Sequence, residues 1–311
     1  MKRMLLAAVA AVLALNLGAL VLFNPQESPV QAQGKEKVEK VANLEEFLKA
    51  DETWAKADTV GKCEYLTKLC DKDQRITYDQ KRWMQYRVLM EQAKKDGIDK
   101  DIVKLLGWAG GIMKDYKNPL QKAAYSALDE IVRQYGTRRL YEDEAYKNGD
   151  IKGKLKRLKE LWEARELGQS ETYALGDSLV FRYLASANGK IDEEIKLMSE
   201  LISANLLVWD NTARIQFGLM QRALYEKPEL TDNTKRMKWL GEIADQKTGK
   251  LSWMMVGNMR LHLLLEMMGT DEEFLKLDYA GRAAKIDGWA KEGLIGSSEV
   301  SALKAAYAAT K

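Results

Sequence analysis

Asn118-Pro119-Leu120-Gln121-Lys122-Ala123-Ala124-Tyr125-Ser126-Ala127-Leu128-Asp129-Glu130-Ile131-Val132-Arg133-Gln134-Tyr135-Gly136 decides the fold class of this chain. Leu120, Ala124, Leu128, Ile131 and Tyr135 recur at the spacing that lines one face of an α-helix. Asn118 is suited to accept a hydrogen bond from a first-turn N–H, and Pro119 loses nothing where the N–H has no intrahelical partner. Gly136, directly after the last apolar residue, reads as the stop.

The same pattern extends in both directions. Trp83, Tyr86, Met90 and Ala93, then Ile191, Ile195, Met198 and Ile202, then Val300, Leu303 and Tyr307 follow helical intervals, and no comparable run alternates strictly. Of four prolines, Pro25 and Pro29 precede the body, so only Pro119 and Pro228 interrupt it. Asp96-Gly97 and Asn188-Gly189 read as helix ends. The segments Ile98-Asp99-Lys100-Asp101-Ile102, Ile191-Asp192-Glu193-Glu194-Ile195 and Thr270-Asp271-Glu272-Glu273-Phe274 each read as an N-cap aspartate (Asp99, Asp192, Asp271) ahead of an acid and an apolar anchor. Degenerate repeats would produce this, and so would the preference of every helix for acids at its positive end. Both accounts give antiparallel helix hairpins. We therefore expect an all-α chain of consecutive hairpins forming an α/α superhelix, similar in style to tetratricopeptide or HEAT arrays while matching neither consensus.

Lys2 and Arg3 lead into an apolar run from Met4 to Phe23, followed by a polar stretch containing Val30-Gln31-Ala32. This order is that of a secretory signal cut after Ala32, although the run is long enough to cross a bilayer core of roughly 30 Å and remain as an anchor. The expected organisation is residues 1–32 as signal peptide or membrane anchor, 33–42 as a charged linker and 43–311 as an all-helical domain. The protein is then exported, periplasmic or secreted, or tethered through Met4–Phe23 with its domain outside the cytoplasm.

Lysine and arginine number 49 against 46 acids, a net charge of +3, so no global field selects nucleic acid. The single histidine, His262, sits in Leu261-His262-Leu263-Leu264-Leu265 and reads as structural. No nucleophile elbow or paired-histidine metal motif accompanies it. Cys63 and Cys70 lie two turns apart in one expected helix, about 10.5 Å at the α-helical rise and beyond the ~7 Å reach of a disulfide. With Leu66 they form one stripe, so they read as small buried residues. A bridge would require the helix to break. No metal or cofactor is expected. Carboxylate acid/base chemistry stays open, because the chain offers many acid pairs.

Phe217-Gly218-Leu219-Met220-Gln221 is similar to the Gly-Leu-Met-Gln segment of lytic transglycosylases, a resemblance that implies cleavage of bacterial cell-wall glycan. That family carries a catalytic glutamate followed by serine upstream. Here Glu200 is followed by Leu201, and the proline expected after the glutamine is absent. Without a general acid the five-residue match carries no mechanism.

Lys152, Lys154, Lys156, Arg157 and Lys159 surround Leu155, Leu158 and Trp162, giving a helix with an apolar stripe and a basic outer face. Such a face suits anionic lipid or an acidic glycan, and equally a plain solvated surface. The eight tryptophans are dispersed and read mostly as large core residues, with one or two lining a groove. The functional expectation is an exported helical scaffold or binding protein that engages a protein, peptide or envelope polymer through a groove between helices, without catalysis. Its rivals are a carboxylate-dependent enzyme acting on envelope polysaccharide and a membrane-tethered spacer.

Overall fold

A computed structural model of the chain describes residues 40–243, 251–270 and 272–308, with backbone only at 209–211, 253, 267, 297, 298 and 306–308. The expected signal or anchor segment and residues 33–39 of the linker lie outside these. The described residues hold sixteen α-helices and no strand. Residues 40–180 with Leu206–Val208 make one compact unit, and Phe181–Asn205 with the residues from 209 onward make a second.

The first unit begins with α1 (Leu44–Ala50), α2 (Glu52–Lys56) and α3 (Thr59–Thr67), which runs into a π-helical turn at Lys68–Lys72. Next come α4 (Tyr78–Lys95), α5 (Ile102–Lys114), α6 (Pro119–Glu142), α7 (Glu144–Asn148), α8 (Ile151–Glu163) and α9 (Gln169–Leu184), within which the division between the units falls. Helix α6 is the hub. Its Leu120, Ala124, Ala127, Leu128, Ile131 and Val132 share one core with Cys63 of α3, Val88, Leu89 and Ala93 of α4, and Leu105, Leu106 and Ala109 of α5. The alanines let the helices approach closely, and each fully buried leucine contributes roughly 1.5–3 kcal/mol. A second cluster of Leu44, Leu48, Leu66, Leu69, Ile76 and Met84 anchors α1, and Val41 of the expected linker packs on it.

Three rungs join α4 to α6: Tyr78 Oη to Ser126 Oγ at 2.5 Å, Arg82 to Glu130 at 3.8 Å, and Tyr86 Oη donating to Gln134 at 2.8 Å. The outer rungs each span 48 residues, and the order along both helices is the same, so α4 and α6 run parallel.

The second unit contains α10 (Ile191–Ser203), α11 (Trp209–Glu226), α12 (Asn233–Ile243), α13 (Trp253–Thr270), α14 (Glu272–Lys276), α15 (Tyr279–Lys291) and α16 (Ser297–Ala308). Arg222 pairs with Glu194 at 2.6 Å and Lys227 with Asp192 at 2.8 Å, which sets α10 and α11 antiparallel. Phe217 meets His262 edge-on at 6.1 Å and Tyr225 reaches Glu266 at 3.4 Å, which sets α11 and α13 parallel. The core is made of Ile195 and Met198, Leu219 and Met220, Leu240, Met259 and Leu264, and farther on Phe274 stacked on Trp289.

Several local expectations are corrected. Gly136 does not end α6, which continues to Glu142. It is buried in mid-helix, where a Cβ would lie 2.8 Å from the Glu166 carbonyl, so glycine serves a close backbone approach there. Asp101, not Asp99, caps α5, its carboxylate accepting from Lys104 N at 3.1 Å. After Gly97 (φ +69°) the chain makes one further turn, with Asp101 N bonded to the Ile98 carbonyl, and this displaces the cap by two residues. Asp192 lies inside the first turn of α10, whose N-cap is Lys190. Asp271 is outside the described residues. The buried face of α4 is Met84, Gln85, Val88, Leu89 and Ala93, so Trp83 and Tyr86 lie to one side of it and Trp83 is 55% exposed. Among tryptophans with described side chains only Trp289 is buried. Cys63 is buried and Cys70 half-buried, both as free thiols, and burial pushes the Cys63 thiol up to about 12.

Candidate functional site

The candidate site forms where α8 ends. Asp150 caps α8 by accepting from Gly153 N at 2.7 Å, and Leu155, Leu158 and Leu161 form its buried stripe. Ala164 closes the helix and Arg165 follows in the left-handed region at φ +61°, with Glu166 N bonded back to the Leu161 carbonyl. The chain then crosses α5 and α6 through two glycine seats. A Cβ on Gly110 would lie 2.5 Å from the Ala164 carbonyl, and one on Gly136 would lie 2.8 Å from that of Glu166.

This crossing segment has two faces. Ala164 and Glu166 border an open groove of about 550 Å³ against Gly107, Gly111, Lys114 and Asp115. Arg165, Leu167 and Gln169 border a smaller cavity of about 170 Å³. Its apolar lining is Met113, Val132 and Leu167, its aromatic lining Tyr125 and Trp162, and its polar lining Asp129, Arg165 and Gln169. The Arg165 guanidinium lies 4.9 Å from the Trp162 ring centroid, a cation–π distance. Trp162 tilts against Tyr173 at 6.0 Å, and Gln169 Nε2 donates to Tyr173 Oη at 2.9 Å.

Burial pushes the Asp129 carboxyl up from its ordinary value. The Arg133 and Arg165 charges oppose the shift, while Glu130 and Glu171 add to it. Glu171, in the first turn of α9, keeps Oε2 buried without a hydrogen-bond partner. Asp129 is the one acid lining the small aromatic-sided cavity, and Glu171 acts on it through its charge.

The basic residues of α8 do not converge there. Arg157 turns inward, donating from Nε and Nη2 to Asp143 Oδ2 at 3.0 and 2.8 Å and from Nη1 to Glu160 at 3.0 Å. Asp143 also receives Arg139 Nη1 at 2.8 Å. Although burial raises its pKa, the hydrogen bonds from Arg157, Tyr146 N and Arg139 prevail and hold it at about 2. Lys159 lies 3.8 Å from Glu163, and Lys154 Nζ sits 5.8 Å from the Tyr146 ring. Lys152 is half-buried, and only Lys156 of the five is exposed. Trp162 alone of the expected binding residues lines the cavity. Arg165 and Asp129 were not foreseen. The one available signal was a charged residue beside Leu128 on the core stripe.

Among the described residues no three His, Cys, Asp or Glu side chains converge to hold a metal, and no helix is long and apolar enough to cross a membrane. No protein-family model, curated protein or solved structure matches this chain.

Proposed function

We propose that this is an exported helical binding protein which holds one unit of an extended polymer, a peptide or a glycan, in the Trp162 cavity. The observation that carries the reading is Arg165. A long side chain in the left-handed region costs roughly 1–2 kcal/mol relative to its ordinary conformation. Gly97 and Gly293 hold the equivalent position after α4 and α15, and Asn205 after α10. A strained residue that lines a cavity is a reason to look for function there. Gln74, also left-handed, is exposed and lines neither cavity, its carbonyl accepting from Lys40 Nζ at 2.5 Å.

Size supports a polymer unit. Pockets that enclose a whole small molecule run from roughly 300 to 1,000 Å³, above the 170 Å³ found here. The pairs of parallel helices, α4 with α6 and α11 with α13, favour stacked hairpins in an α/α superhelix, whose grooves suit extended ligands. Calorimetric titration of the full-length chain with panels of hexapeptides and neutral and charged oligosaccharides tests the reading. A ligand bound by the natural protein and lost in Arg165→Gly is the expected result, and equal binding by the two would refute it. Export is tested by N-terminal sequencing of protein recovered outside the cytoplasm, with Gln33 or Met1 first according to whether the leader is cut.

A second reading, a carboxylate-dependent enzyme acting on polysaccharide, is favoured by the raised Asp129 and the unpartnered Glu171 oxygen. It predicts release of reducing ends from glycans that both Asp129→Asn and Glu171→Gln abolish.

A further inference from the structure

The chemistry of the cavity narrows the choice of polymer. Arg165 can only donate hydrogen bonds, an ionised Asp129 can only accept them, and Gln169 and the Tyr125 hydroxyl do both. The formal charges of Arg165 and Asp129 cancel. A cationic occupant would meet a guanidinium already seated over Trp162. An anionic one would meet Asp129, where the charges of Glu130 and Glu171 are set against that of Arg133. Neither sign is selected.

A neutral ring bearing hydroxyls suits every group. Each hydroxyl donates and accepts at once, so it can serve Asp129 and Arg165 together. The C–H faces of such a ring match the Trp162 and Tyr125 side chains and the apolar lining of Met113, Val132 and Leu167. A peptide side chain that packs on the aromatic walls brings few groups to serve Asp129 and Arg165 together, a tyrosine its single hydroxyl, where a sugar ring carries several. We infer that the cavity takes a single neutral sugar residue of a glycan, with Asp129 and Arg165 reading its hydroxyls. This rests on the binding reading above and names the ligand class for that site.

The test is calorimetric titration of the full-length chain with neutral oligosaccharides (cellohexaose, chitohexaose and mannohexaose), with polygalacturonate, and with hexalysine. At least one neutral oligosaccharide binds, with an affinity unmoved by added salt because no ion pair forms. Asp129→Asn and Arg165→Gly each weaken it by about tenfold or more, the loss of one charge-assisted hydrogen bond, with the helical circular dichroism unchanged. Preference for polygalacturonate or hexalysine, with a steep salt dependence and the same loss in the two variants, would overturn the neutral sugar and leave the binding site standing. Binding of no probe, hexapeptides included, or binding indifferent to both variants, would overturn the two readings together.

Discussion

Gln85 Nε2 donates to the Ala123 carbonyl across 2.7 Å, tying the middle of α4 to the residue before the kink of α6 at Ala124 (φ −138°, ψ 24°). The same nitrogen lies 3.0 Å from the Cys63 carbonyl and 3.0 Å from Thr67 Oγ1, so one buried amide links three helices. Gln85→Leu fills the space and leaves the Ala123 carbonyl with Thr67 as its side-chain donor. Loss of about 1–3 kcal/mol in urea unfolding is expected. A stability change below about 0.5 kcal/mol would mean that the network contributes nothing.

Gly136→Ala and Gly110→Ala oppose helix propensity to packing. Alanine favours a helix by up to about 1 kcal/mol. At these sites its methyl would press on a carbonyl 2.8 or 2.5 Å away, so both variants unfold more easily, by about 1–3 kcal/mol. Gly111→Ala meets nothing within 4 Å and is the control, expected to hold or gain stability. A gain in all three would contradict the glycine seats.

Arg165→Gly separates stability from binding. Relief of the left-handed penalty, about 1–2 kcal/mol, outweighs the roughly 0.5–1 kcal/mol of the Trp162 cation–π contact. The thermal midpoint therefore stays level or rises while ligand affinity falls. A drop in midpoint would show that the residue is held for the fold.

The Asp143 site predicts a pH dependence. Its carboxyl, at about 2 in the folded chain, titrates below the roughly 3.9 of an unfolded aspartate, so its contribution is present above pH ~4 and is lost as pH falls through ~2. Asp143→Asn, which leaves Arg139 and Arg157 without their carboxylate, is less stable by about 2–3 kcal/mol at pH 7. Denaturation across pH should show the deficit closing between about pH 4 and pH 2. Asp129→Asn runs the other way: a carboxyl raised by burial disfavours the folded anion, so this variant gains stability at neutral pH and the gain disappears in acid.

Asp101→Ala removes the cap of α5 and costs about 1 kcal/mol, whereas Asp99→Ala leaves the unfolding midpoint in place. Equal costs at the two positions would move the helix start.

Fold class was legible because period and caps are local properties. Leu120, Ala124, Leu128 and Ile131 are all buried, and Asn118 accepts from Leu120 N as its position suggested. What failed depended on distant partners. Gly136 looks like a stop until the Glu166 carbonyl arrives from the other side of a turn. The α4 stripe could be placed correctly only by accepting Gln85 into the core, and its partners come from α3 and α6. Arg157 reads as a surface cation because nothing nearby in sequence announces Asp143 as buried. Trp162 was found from its place on an amphipathic helix, but Arg165 gains its meaning from a backbone angle, which composition does not reveal.

The three rungs between α4 and α6 also constrain how this chain can change in length. Residues added to the connection between α5 and α6, at Asp115–Asn118, can loop outward and leave every rung in place. A single residue inserted between Tyr78 and Arg82 would rotate all that follows in α4 by about 100° and strip Arg82 and Tyr86 of their partners together. Homologous chains of unequal length should therefore differ at the turn and never within the ladder.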